Sequence, residues 1–316
     1  MLASGKCVSR IPHPWSWKLA VPLRETTTTT TTTTRLQSTL HAEFLNRSSK
    51  SVDDSQRPVT VFLHGLLGNG RNLKTLAKKV TDQSGHSGIL LDLRGHGKSY
   101  LVGGGWNEPH SFEACVDDVK RSLDGLNIRP HTIVGHSWGG RVALQYAATL
   151  GGTAHTALLK QVWLLDTVPG QAHKSVEHVL NAVRNLQQRQ STSLPDRKQV
   201  ATILTQEFHI EQATAQWLAS SYNRQTGDFG FDMNVIEGLW PEFGNQDFYG
   251  LIEKCTLEHG IRIDLVRGGK NTGWSVDILR RLDSLKGTNF AIHVLPKAGH
   301  WVHVDDLPGL LEVMKN

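Results

Sequence analysis

Short, continuously apolar runs alternate along the chain with longer stretches of helical spacing. Val59-Thr60-Val61-Phe62-Leu63, Ile89-Leu90-Leu91-Asp92-Leu93, Ile133-Val134, Val162-Trp163-Leu164-Leu165-Asp166, Ile261 to Val266 and Phe290 to Leu295 all read as strands. They are rich in β-branched and aromatic residues and bounded by turn residues. Ala42 to Leu45 is a candidate edge strand. Between these runs, Leu73 to Val80, Ser111 to Leu126, Arg141 to Leu150 and Val276 to Leu285 read as helices, with a last one from Leu307 to Met314. In the second of them Phe112, Cys115, Val116, Val119 and Leu123 share one face, and Ser111 is placed to cap the N-terminus. Strands that are apolar on both faces and separated by helices predict an α/β fold, with a mostly parallel, doubly wound sheet.

The pattern changes from about 171 to about 251. That stretch is polar-rich and helical, with Leu180 to Leu186, Val200 to Phe208 and Ala213 to Tyr222 as helices and no convincing strand. It reads as a helical cap inserted into the sheet domain. The expected organisation is therefore a leader over 1–40 and one folded domain over 41–316 that carries the cap.

Composition changes this picture mainly at the N-terminus. The sequence pI is about 9.1. Seven of the 34 Lys and Arg and two of the 29 Asp and Glu lie in the first 50 residues, so the remainder is balanced at 27 of each. The body thus has no basic surplus that would suggest binding to a phosphate backbone, and no nucleic-acid partner is expected. The leader has no acid in its first 24 residues and an unbroken run from Thr26 to Thr34. Basic, hydroxyl-rich and acid-poor is the composition of an organelle transit peptide, and a mitochondrial location is expected. A low-complexity tail is the plainer alternative. No apolar run approaches the roughly 20 residues of a membrane span. Cys7, Cys115 and Cys255 are far apart and odd in number, which argues for a reducing compartment rather than a disulfide framework.

The candidate chemistry begins at Gly135-His136-Ser137-Trp138-Gly139, a G-x-S-x-G motif placed between a strand and a helix. That context makes Ser137 a candidate nucleophile on a sharp turn, with Gly135 and Gly139 letting strand and helix pass closely. His300, in Ala298-Gly299-His300-Trp301-Val302-His303 just past the last strand, is the candidate general base. Such a base needs a carboxylate to fix its tautomer. The loop after the next-to-last strand, Arg267 to Trp274, contains no acid. Asp166, at the end of the strand after the nucleophile helix, is the favoured acid and Asp277 the second candidate. Asp264 falls mid-strand, while Asp305 and Asp306 read as caps of the last helix. The backbone N–H groups of Leu66 and Trp138 are the candidate oxyanion donors. His64 and the segment from Arg94 to Ser99 are expected to brace the neighbouring loops. Trp217, Trp240 and Phe243 would line an apolar pocket in the cap or simply form its core. No cofactor and no metal are called for by this set.

His64-Gly65, Asp92-Leu93-Arg94-Gly95-His96-Gly97-Lys98-Ser99, Gly135-His136-Ser137-Trp138-Gly139-Gly140 and Gly299-His300-Trp301 resemble the α/β-hydrolase superfamily from about residue 58 to the C-terminus. His64-Gly65-Leu66-Leu67-Gly68, Leu165-Asp166-Thr167-Val168-Pro169 and Ala298 to Asp305 are similar to the branch of alpha/beta-hydrolase domain-containing protein 11, which is mitochondrial, and its bacterial esterase relatives. The resemblance implies an α/β-hydrolase fold and hydrolysis of a carboxylic (acyl) ester or thioester through an acyl-enzyme. The expected partner is a small-molecule acyl ester. It also implies Asp166 as the acid, independently of spacing. An acid within the cap has been assigned to this branch as well, and Phe231-Asp232-Met233-Asn234-Val235-Ile236-Glu237 matches that region loosely. Finally, the resemblance allows a different role, that of a weakly active partner or protector of a mitochondrial enzyme complex. A dehalogenase would carry an aspartate in place of Ser137.

Overall fold

The structure is a computed structural model that describes residues 39–45, 57–100, 106–150, 158–171, 174–189, 194–287 and 289–315. Of the expected leader over 1–40, residues 1–38 lie outside the described residues, whereas Leu40 is buried in the core and donates its N–H to Ser122 Oγ at 2.8 Å. Seven strands form one sheet: β1 (Ala42–Leu45), β2 (Val59–Leu63), β3 (Ser87–Leu91), β4 (Thr132–His136), β5 (Gln161–Leu165), β6 (Arg262–Gly268) and β7 (Phe290–Leu295). Their order is β1-β3-β2-β4-β5-β6-β7. Only the edge strand β1 runs antiparallel to its neighbour; all other pairs are parallel.

The strands are apolar throughout because both faces are covered. Alternate side chains divide between two cores, as a period of two requires. Val61, Leu63, Ile89, Leu91, Ile133, Val162, Leu164, Ile263 and Leu265 belong to one. Phe62, Leu90, Val134, Trp163, Leu165 and Val266 belong to the other.

Helices α1 (Lys74–Ser84), α2 (Gly97–Tyr100), α3 (Phe112–Gly125) and α4 (Trp138–Thr149) lie between successive strands. Ser111 caps α3, its hydroxyl accepting the N–H of Ala114 at 3.2 Å. Between β5 and β6 come α5 (Lys174–Gln187), α6 (Arg197–Gln206), α7 (Gln212–Ser221), α8 (Met233–Leu239) and α9 (Phe248–Glu253). After β6 come α10 (Val276–Asp283), α11 (Val302–Asp305) and α12 (Leu307–Val313). Leu76, Ala77 and Val80 of α1 and Leu310 and Leu311 of α12 cover one face. Helices α3 and α4, with Leu282 of α10, cover the other.

The segment from 171 to 251 has its own small core of Leu180, Val183, Val200, Leu204, Leu218, Phe229 and Phe231. Its last part does not join that core. Phe243 and Phe248 pack instead into the core beneath the sheet that α4 also covers. A single buried cation ties the segment down. Arg141 of α4 donates to the carbonyl of Phe243 at 2.9 Å and to those of Val168 and Gly170, which lie at the other end of the insertion.

One sequence expectation about an acid is corrected here. Asp306 does cap α12, accepting from Gly309 N–H at 3.1 Å, but Asp305 does not. Asp305 accepts the N–H of Gly299 at 2.7 Å and so braces the loop before His300. Asp264 is buried in mid-strand as expected, bound by Gln161, Arg262 and His293.

Candidate active site

Parallel strands end together, so residues just beyond their carboxyl ends gather on one edge of the sheet. Ser137 follows β4, Asp166 follows β5 and His300 lies in the loop after β7. The backbone staples these ends together. Ser137 N–H donates to Leu165 O at 2.9 Å, and Asp166 N–H donates to Val266 O at 2.7 Å.

Ser137 is the residue before α4 and has φ 51° and ψ −114°. Such a backbone costs of order 1–3 kcal/mol for a non-glycine residue and persists only where its surroundings enforce it. The enforcement comes from two glycines. A Cβ on Gly135 would lie 2.4 Å from Gly139 O, and one on Gly139 would lie 2.3 Å from Leu63 O. Strand and helix therefore touch backbone to backbone. Gly139→Ala is expected to destabilise the fold by about 3 kcal/mol, because the obstructing atoms are main chain and cannot rotate away. Thermal unfolding measures this; a melting temperature unchanged from wild type would show that the turn relaxes freely.

The Ser137 side chain makes no capping bond to α4, so its hydroxyl is not committed to the helix. Among the described residues it has no hydrogen bond to His300 either. The two residues are linked through His136, whose Nε2 is 3.0 Å from His300 O and whose ring centroid is 4.8 Å from that of His300.

Asp166 is fully buried and also has a positive φ, 45°. Its Oδ2 is 2.7 Å from His300 Nδ1. With Nδ1–H donating to the carboxylate, Nε2 is the nitrogen left to act as a base. The loops meet because the backbone is bare: a Cβ on Gly268 would lie 2.0 Å from Gly299 O.

The other acids do not approach. Asp277 sits in the first turn of α10, its side chain 89% exposed and paired with Arg280. Asp232 caps α8 through Asn234 N–H, and Glu237 pairs with Arg184 at the surface. None of the three bonds to His300.

The glycine loop after β2 is held by imidazoles. His64 Nδ1 donates to Gly65 O at 2.8 Å, and its Nε2 accepts Leu93 N–H at 2.9 Å. His96 Nε2 accepts Leu67 N–H at 3.1 Å, while its Nδ1 donates to Arg94 O. Each ring must be neutral to accept in this way, and burial lowers their pKa values to about 4 and about 3. Asp92 accepts the N–H groups of Gly70 and Lys98, bracing the adjacent turn. The amides of Leu67, Gly68, Asn69 and Gly70 are all engaged. Those of Leu66 and Trp138 make no such bond among the described residues.

The three aromatic residues expected in the cap have separate fates. Phe243 is buried against Trp138, ring centroids 4.8 Å apart, and beneath Arg141. Trp240 is half-buried against Phe243. Trp217 is half-buried on α7, 5.7 Å between centroids from Trp301, the neighbour of His300.

Sequence reasoning missed Asn271, Trp274 and Gly268, which all bind Asp166. The usable signal was the donor-rich composition of 267–274, a stretch with no carboxylate of its own. It also missed His303, a buried imidazole 4.7 Å between ring centroids from His136. Among the described residues, no group of His, Cys, Asp or Glu is arranged to hold a metal ion, and no helix is long and apolar enough to cross a membrane.

The family model for the alpha/beta hydrolase fold matches residues 58–307. The chain belongs to the alpha/beta hydrolase fold family. It is 26% identical over 252 residues to the "sn-1-specific diacylglycerol lipase ABHD11" of Danio rerio, covering 78% of this chain and 73% of that one. It is 24% identical over 274 residues to "Esterase YbfF" of Escherichia coli, covering 85% and 96%. Among solved structures, "Marine microorganism esterase" superposes with a TM-score of 0.67 at 18% identity, over 87% of this chain and 97% of that one. Relatives of this hydrolase-fold chain are thus named as esterases and lipases, which supports hydrolase activity.

Proposed function

We propose that the protein is a serine hydrolase that cleaves a carboxylic (acyl) ester or thioester. One observation carries the reading: the 2.7 Å contact between His300 Nδ1 and the buried Asp166 carboxylate, on the sheet edge that also holds the strained Ser137. Ser137 Oγ attacks the acyl carbon, and its proton passes to His300 Nε2. The oxyanion forms against the N–H groups of Leu66 and Trp138. His300 returns the proton to the departing alcohol or thiol, leaving an acyl-serine. Water then loses a proton to His300 and attacks the acyl carbon, and His300 passes that proton to Ser137 Oγ as the acyl–oxygen bond breaks and the acid departs. Asp166 fixes the tautomer throughout. The name "sn-1-specific diacylglycerol lipase" borne by relatives favours a glycerolipid acyl ester as substrate, and the leader composition favours import into mitochondria.

One observation favours a second reading, in which a weakly active protein serves as partner to a mitochondrial enzyme complex. Ser137 and His300 share no hydrogen bond among the described residues. Such bonds also tighten only on substrate binding in working enzymes, so the reading is second. A fluorophosphonate probe separates the two. Wild type is expected to be labelled and Ser137→Ala not; folded wild type that resists the probe would overturn the hydrolase reading. An ester chain-length series then identifies the acyl group.

A further inference from the structure

The end of β6 and the loop that follows it, residues 267–274, contain no acid, yet they enclose one. Asp166 Oδ1 accepts the N–H of Gly268 at 2.8 Å and the indole Nε1–H of Trp274 at 2.8 Å. Its Oδ2 accepts Asn271 Nδ2–H and His300 Nδ1–H. A carboxylate has about four acceptor positions, two on each oxygen. All four are filled here, one by the last residue of β6 and two by the loop that follows it. The orientation of Asn271 is settled by a second bond. Gly273 N–H donates to Asn271 Oδ1 at 2.9 Å, so the amide nitrogen must face Asp166. Trp274 has a donor-only nitrogen on a ring that is itself buried in the core under the sheet.

We infer that Asn271 and Trp274 are positioning residues that keep the Asp166 carboxylate aimed at His300. The inference rests on Asp166 being the partner of the catalytic base. A buried carboxylate held by His300 alone could turn about its Cβ–Cγ bond and offer either oxygen. With three acceptor sites already taken, only one lone pair of Oδ2 is left, and it points at Nδ1. The loop thus supplies the restraint on an acid that reaches the site from the neighbouring strand. Neither side chain touches the reacting atoms, so the effect falls on turnover rather than on substrate binding.

The test is a double-mutant cycle on the full chain, read as kcat and KM with a chromogenic short-chain ester. Trp274→Phe keeps an aromatic side chain in the core while removing the N–H donor and part of the bulk, so it remains informative should Asn271→Ala fail to fold. Each is expected to lower kcat by about tenfold or more, the size of one hydrogen bond to a charged group, with KM within about twofold. In an Asp166→Asn background the same substitutions are expected to change kcat by less than about twofold, since there is no carboxylate left to aim. Losses of equal size in both backgrounds, or none in the wild type while Asp166→Asn is inactive, would overturn the inference and leave Asp166 in place. Full activity of Asp166→Asn would remove the acid assignment and this inference with it.

Discussion

Asp166→Asn is expected to lower kcat by about four orders of magnitude in the protein that remains folded. The amide is the same size, but it cannot balance an imidazolium and can present a donor to Nδ1. His300 would then hold its proton on the wrong nitrogen when Ser137 needs a base. Because Asp166 is fully buried, water cannot replace the missing charge. Ser137→Ala is expected to cost as much or more, about a million-fold by analogy with other serine triads, with residual rate from the oxyanion donors. Asp277→Asn is the control, because that carboxylate is exposed and paired only with Arg280. Steady-state kinetics on purified variants check all three. Turnover of Asp166→Asn within tenfold of wild type would sink the assignment.

A steep loss of stability is expected as pH falls from about 6.5 toward 4. Burial lowers the pKa of His64 to about 4, of His96 to about 3 and of His303 to about 4, from 6.5. It also lowers that of His136 well below 6.5, helped by the neighbouring His303 and His300. In this window the unfolded chain binds protons that the folded chain refuses, so stability rises with pH. The stability is complete above about 6.5 and is lost on acidification, at about 1.4 kcal/mol per pH unit for each histidine once its unfolded form is protonated. Three such rings amount to about 4 kcal/mol between pH 6 and 5, a large share of an ordinary folding free energy. Denaturant midpoints measured from pH 8 to 4.5 test this. A midpoint at pH 5 equal to that at pH 7 would show that these rings are hydrated in the folded protein.

The elements of this fold were readable because burial on both faces writes itself into a strand as an unbroken apolar run. Val59–Leu63 and Gln161–Leu165 show it, and so does the amphipathic helix Phe112–Gly125 behind its Ser111 cap. The caps were harder. Asp305 and Asp306 are adjacent and identical in type, and only the backbone geometry makes one a cap and the other a brace for Gly299. The insertion was read as one cap, yet Phe243 and Phe248 pack into the core below the sheet. Periodicity identifies an apolar face but does not say which of two cores receives it.

The site divides in the same way. The sequence alone determined where each strand ends, and because strands that alternate with helices lie mostly parallel, it also put Ser137, Asp166 and His300 just past strand ends that gather on one edge of the sheet. Only the tertiary structure decided which carboxylate meets Nδ1, because Asp166 and His300 are 134 residues apart and no local rule couples them. It also decided that Gly268, Asn271 and Trp274, from a stretch with no carboxylate of its own, would hold that of Asp166. A donor's partner is fixed by the crossing of loops in space, here by a glycine backbone packed against another loop, and that contact has no periodicity to read.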